Sequence, residues 1–114
     1  MNLDALIHQI RKISSDKVVQ QLGELLLDWK ADDRTAEELR ELVERYFGNS
    51  WVERDQDHAR AYGLWSAFRD DAIAGIGGMT MNERLYFFSL MERFDDSTDD
   101  VKKRTVYTKL LANP

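Results

Sequence analysis

The sequence predicts an all-α protein, a compact single-domain bundle of about six helices over residues 1–114, paired mostly as antiparallel hairpins. Three observations lead there. Apolar residues recur at intervals of three and four almost throughout. No stretch sustains the apolar–polar alternation of a half-buried strand. The one proline is Pro114, so no helix is interrupted internally. Hydrophobic residues make up 43% of the chain and include three Trp, five Phe and four Tyr, which is enough to fill one core at this length.

Leu3, Leu6, Ile7, Ile10 and Ile13 mark one face of a first helix, and SSDK ends it with Ser14 or Ser15 placed to cap the next. Val18, Val19, Leu22, Leu25, Leu26 and Trp29 form the stripe of a second, which closes in polar KADDR. Thr35 and Glu38 make a T-x-x-E capping box for a third helix carrying Leu39, Leu42, Val43 and Tyr46. Glu41 and Arg45 are spaced for an i,i+4 pair there, and Gly48 or Asn49 suits the helix end. A fourth helix, started by Asp55 or Asp57, bears Ala61, Leu64, Trp65, Phe68, Ala72 and Ile73. Gly63 inside it costs about 1 kcal/mol relative to Ala, which points to a close helix approach. Gly75 or Gly77 is expected to cap its end, with Ile76 and Met79 packing across the turn. Thr80 and Glu83 form a second capping box, opening a fifth helix with Leu85, Phe88, Met91 and Phe94. Ser97 and Asp100 then start a sixth through Val101, Thr105, Leu110 and Leu111.

Several function classes are disfavoured. The absence of cysteine removes disulfides, thiolate metal sites and a Cys nucleophile. A net charge of −5 repels nucleic-acid backbones, and the charged N-terminal residues contain neither a signal-peptide core nor a membrane span. The expected location is the cytoplasm. GIGGMT follows a helix, is followed by no Lys, and has Thr80 where the third glycine of a dinucleotide fingerprint belongs, so helix termination explains it better than phosphate binding. His8 and His58 are the obvious bases, yet only Asp4, Asp55 and Asp57 lie at helical or adjacent spacing. A bundle metal site requires a second Glu-x-x-His, which is missing. Ser66 and Ser89 lack a nucleophile-elbow setting, so no catalytic, metal or cofactor residue is assigned and no enzyme activity is expected. Trp65 and Phe68 read as core, whereas Trp51 and Tyr62 are not placed by spacing.

Charge supplies the remaining candidate. ERFDDSTDD, from Glu92 to Asp100, holds five acids, and FRDDAI adds Asp70 and Asp71 at the end of the fourth helix. As a partner-binding patch, Asp70, Asp71, Asp95, Asp96, Asp99 and Asp100 would steer and select a basic protein, while solvated helix ends are the plainer explanation.

The run GMTMNERLYFFSLMERFDD, with upstream ELVERYFGNSWV and HARAYGLWSAFRDDAI, resembles short bacterial proteins that carry an M-T-x-N-E-R-L segment followed by an F-D pair. Some of those are similar to immunity proteins of contact-dependent growth inhibition and related polymorphic toxin systems. The likeness covers about residues 22–111 and is most specific from Met79 to Leu85. It implies a small cytosolic protein that binds one cognate toxin domain stoichiometrically and occludes it. That toxin is expected to be basic and could be a nuclease. Another helical interaction or regulatory module is the alternative. Within the motif, Glu83 reads as a cap and Leu85 as core, Arg84 is expected to pair with an acid of the fourth helix, and Asn82 has no assigned role.

Overall fold

Local chemistry sets most helix starts in the computed structural model, which describes residues 1–50 and 54–114. Among these residues there are seven α-helices and no strand. They are α1 (Leu3–Arg11), α2 (Lys17–Ala31), α3 (Ala36–Asn49), α4 (Asp55–Phe68), α5 (Met81–Phe87), α6 (Met91–Asp95) and α7 (Asp100–Lys109). A π-helical turn, Arg69–Ile73, extends α4, and a 3-10 turn, Ile76–Gly78, precedes α5. Both T-x-x-E capping boxes form: Thr35 and Thr80 accept from the backbone N–H of Glu38 and Glu83, whose carboxylates accept in return.

The expected fifth helix is split in two. Ser89 adopts a left-handed φ of 55°, its N–H bonds to Tyr86 O, and the Leu90 N–H bonds back to Leu85 O. This is a Schellman closure, completed by the apolar pair Leu85 and Leu90, both buried. The break advances the buried register by one residue, so Leu90 enters the core and Met91 stays 41% exposed. The end of α7 repeats the device with Leu111 at φ 57° and the Ala112 N–H on Tyr107 O. Its buried positions are Val106, Lys109 and Leu110, whereas Val101 and Leu111, expected inside, are exposed.

Other local expectations are corrected. Asp16, rather than Ser14 or Ser15, caps α2 by accepting from the Val18 N–H, and Asp99 caps α7 in place of Ser97. Neither Asp55 nor Asp57 is the N-cap of α4, because Arg54 holds that position. The third helix does end at Asn49, as expected, but without a left-handed residue, since neither Gly48 nor Asn49 has positive φ and no other glycine does; the chain leaves α4 through the π-helical turn, closed by the Ala74 N–H on Arg69 O. A Cβ on Gly63 would meet nothing within 4 Å. The close approach is at Gly23, where an added Cβ would lie 2.7 Å from Arg11 Nε. Arg40 pairs with Glu37 on α3, and Glu41–Arg45 is not among the ion pairs of the described residues.

The antiparallel-hairpin arrangement is also inexact. The stripe of α1, Leu3, Leu6, Ile7 and Ile10, is wide enough to pack on both α2 and α4, while α3 packs on α2 and the π-helical turn. The short helices α5, α6 and α7 follow one another in contact. Aromatic rings join these layers: Trp29 and Phe88 lie 5.5 Å apart, Phe88 and Phe68 5.6 Å, and Phe68 and Trp65 6.0 Å. Trp65 and Phe68 are thus core residues, as the periodicity predicts. The Cα radius of gyration is 14.4 Å, near the roughly 13 Å of a compact domain of this length, with extents of 45 × 25 × 21 Å. No helix among the described residues is long and apolar enough to cross a membrane.

Candidate functional site

A groove of about 740 Å³ runs between the end of α2, α6 and the start of α7. Leu27 and Ala31, backed by the buried Leu90, supply its apolar surface, Ser89, Ser97 and Thr105 its small polar groups, and Lys30, Asp33, Glu92, Arg93, Asp96 and Lys102 its charges. The Ser89 turn positions one wall, since Ser89 Oγ accepts the Asp4 N–H at 3.0 Å and so ties this wall to α1. Lys30 bridges to the Asp4 carboxylate at 2.9 Å.

The opposite support comes from the α2–α3 connection, where orphan helix carbonyls collect cations. Arg93 donates to Lys30 O at 3.1 Å, Asp32 O at 2.8 Å and Asp33 Oδ1 at 2.7 Å. Lys109, fully buried, donates through Nζ to Trp29 O, to Arg34 O at 2.8 Å and to Asp32 Oδ1 at 3.2 Å, and stands 3.7 Å from the Trp29 ring centroid. Two positive groups thus meet the negative end of α2. Burial pushes the Lys109 ammonium down to about 8, against the opposing pull of Asp32. Burial would raise Asp32, but hydrogen bonds from the Arg34 backbone and side chain and from Lys109 hold its carboxyl below the ordinary range.

The predicted acidic residues divide between two places. Asp95 and Asp96 end α6, Asp99 caps α7 through the Lys102 N–H, and Asp100 begins it; all four are exposed, and Asp96 lines the groove. Asp70 and Asp71 sit exposed on the π-helical turn, which packs on α3 and α4, and neither lines the groove. Asp70 accepts from Arg69 at 3.0 Å.

A second polar cluster anchors the aromatic residues. Glu44 accepts from Arg69 at 2.5 Å, Tyr62 Oη at 3.1 Å and Trp65 Nε1 at 3.2 Å. Burial would raise this carboxyl, and the three donors together hold it low. Tyr62 therefore serves this network, with its ring 5.0 Å from Phe47. Trp51 lies outside the described residues. His8 is exposed on α1, and His58 meets the edge of Phe47 at 5.6 Å. No group of three metal-ligating side chains occurs among the described residues. Ser66 Oγ donates to Gly63 O.

Arg84 does not pair with the fourth helix. Its guanidinium donates to Leu110 O at 3.2 Å and Leu111 O at 2.8 Å, tying α5 to the end of α7. Asn82 is exposed on the first turn of α5. Sequence reading missed Lys109 and Arg93. Lys109 had a usable signature, a lysine in line with Val106 and Leu110 on the buried stripe. Arg93 had none, because an arginine among acids reads as a solvated charge. Compared with models of protein families, with curated proteins and with solved structures, the chain matches none of them.

Proposed function

We propose that the chain is an immunity protein that binds a cognate toxin domain in the cytoplasm and neutralises it by stoichiometric occlusion, without catalysis. The observation that carries this reading is the arrangement of charge beside the groove. Arg93 and Lys109 turn inward onto carbonyls, whereas Asp95, Asp96, Asp99 and Asp100 remain exposed on one turn. Such a face favours a basic partner surface and speeds its approach. The likeness of the Met79–Leu85 run to immunity proteins supports the same reading. A basic nuclease domain would suit this face, and Asp70 and Asp71 would form a separate minor contact.

Growth rescue tests the proposal. The C-terminal domain encoded immediately upstream of this gene is expressed with and without this protein while cell density is followed. Arrest relieved by this protein, and not by an unrelated helical protein of similar charge, is the expected result. A harmless upstream product, or toxicity untouched by co-expression, would count against immunity and leave a helical interaction module of another kind.

A further inference from the structure

We propose that the groove between α2, α6 and α7 receives an arginine side chain from a protein partner, with its stem on Leu27 and Ala31 and its guanidinium between Glu92 and Asp96. The inference deepens the proposed function, and it rests on that reading only for which protein presents the arginine.

Two features of the groove select this occupant. The first is which of its charges are already engaged. Lys30 is held by Asp4, and Arg93 and Asp33 are held by each other, so these lining charges balance inside the molecule. Glu92 and Asp96 also line the groove, and neither makes an ion pair among the described residues. Lys102 is the opposing charge on the α7 rim; Lys103 lies over the Phe94 ring at 5.9 Å, and Arg104 does not line the groove. The second feature is spacing. Glu92 and Asp96 are i,i+4, so the helix stacks two like charges on one face, an arrangement that disfavours the helix by itself. A planar guanidinium placed between two carboxylates relieves that repulsion and can donate to both, which an ammonium does less well. The apolar surface below suits the methylene stem that arginine buries while its head stays polar.

The probe is N-acetyl-arginine methylamide, titrated into the full chain and followed by amide NMR shifts, with the citrulline analogue as an uncharged isostere. Saturating shifts at Ala31, Leu90, Glu92 and Asp96 are expected with arginine, at least tenfold weaker binding with citrulline, and loss of the shifts in Glu92→Gln/Asp96→Asn. Melting of that exposed double variant reports whether its fold is intact. Equal binding of citrulline, or shifts spread equally over Asp70 and Asp71, would overturn the inference. Once a toxin domain is in hand, the same double variant should weaken its binding at least tenfold. Wild-type rescue with undiminished binding by the variant would overturn the groove assignment and leave immunity standing. Failed rescue with arginine binding in the groove would do the reverse.

Discussion

Replacing Lys109 with methionine separates the two forces that act on this buried ammonium. Methionine keeps the unbranched volume and deletes the charge and its donors. The Arg34 carbonyl would lose its Lys109 donor at about 1–3 kcal/mol, and the Trp29 carbonyl, which keeps the Asp32 N–H at 3.3 Å, somewhat less. Asp32 retains Arg34 and is one-third exposed, so its loss adds little. Against this, removing a buried charge recovers part of its desolvation cost. The balance is a net loss of about 2–3 kcal/mol at pH 7. An unfolding entropy near 2.1 cal/mol/K per residue over 114 residues gives about 0.24 kcal/mol/K, so Tm should fall by roughly 8–12 °C in a calorimetric scan. An unchanged or raised Tm would show that desolvation exceeds the hydrogen bonding and would refute a net stabilising role for Lys109. The pH dependence probes the same balance. Because burial places the folded-state value at about 8, below the ordinary 10.5, the unfolded chain holds more protons between those values. Stability from the neutral amine is therefore fully present above pH 10.5 and lost as pH falls toward 8. The gap between wild type and Lys109→Met should widen as pH rises through that window, and a narrowing gap would mean that the acceptors outweigh burial.

Trp65→Ala should cost roughly 3–5 kcal/mol in chemical denaturation, since the ring is fully buried between Phe68 and Glu44. Wild-type stability in that variant would remove Trp65 from the core. Gly63→Ala should stabilise by about 0.5–1 kcal/mol, because the site is helical with open space around an added Cβ; a lower denaturation midpoint would reveal a contact absent from the fold.

What the sequence disclosed was local, and what it concealed was long-range. Thr35, Glu38, Thr80 and Glu83 were legible because a capping box closes within four residues and needs no information from elsewhere. The apolar stripes of α1 to α4 were legible for the same reason, as period alone selects a buried face. The break at Ser89 was not. Leu85, Phe88, Met91 and Phe94 satisfy a continuous helix, and a serine in left-handed backbone carries no sequence mark of the kind glycine gives. Its cause lies 85 positions away, where the Asp4 N–H donates to its hydroxyl, and in the core, where Phe88 and Leu90 are both fully buried. Gly63 and Gly23 show the same limit, since two helical glycines look alike until the neighbouring chain reveals which one faces Arg11. Of the candidate acids, the grouping of Asp95, Asp96, Asp99 and Asp100 follows from chain proximity. The separate placement of Asp70 and Asp71 depends on how the π-helical turn packs.

The long-range ties also bear on what the groove can do. The helices α5, α6 and α7 have seven, five and ten residues, too short to persist alone in water. Each is held by a cation reaching across to carbonyls of another element: Arg84 from α5 to the end of α7, Arg93 from α6 to the end of α2, and Lys109 from α7 to the α2–α3 connection. Arg93 lines the groove and supports its wall at once. Under the proposed function, a partner docking there would meet a surface whose backbone order is already set by folding, so association would lose less freedom than in arranging three marginal helices. The motif that carries the resemblance contributes through that order. Thr80 and Glu83 start α5, Leu85 buries it, and Arg84 locks it to α7, so under the proposed function substitutions in this run would act on partner binding chiefly by loosening the groove that α6 and α7 present.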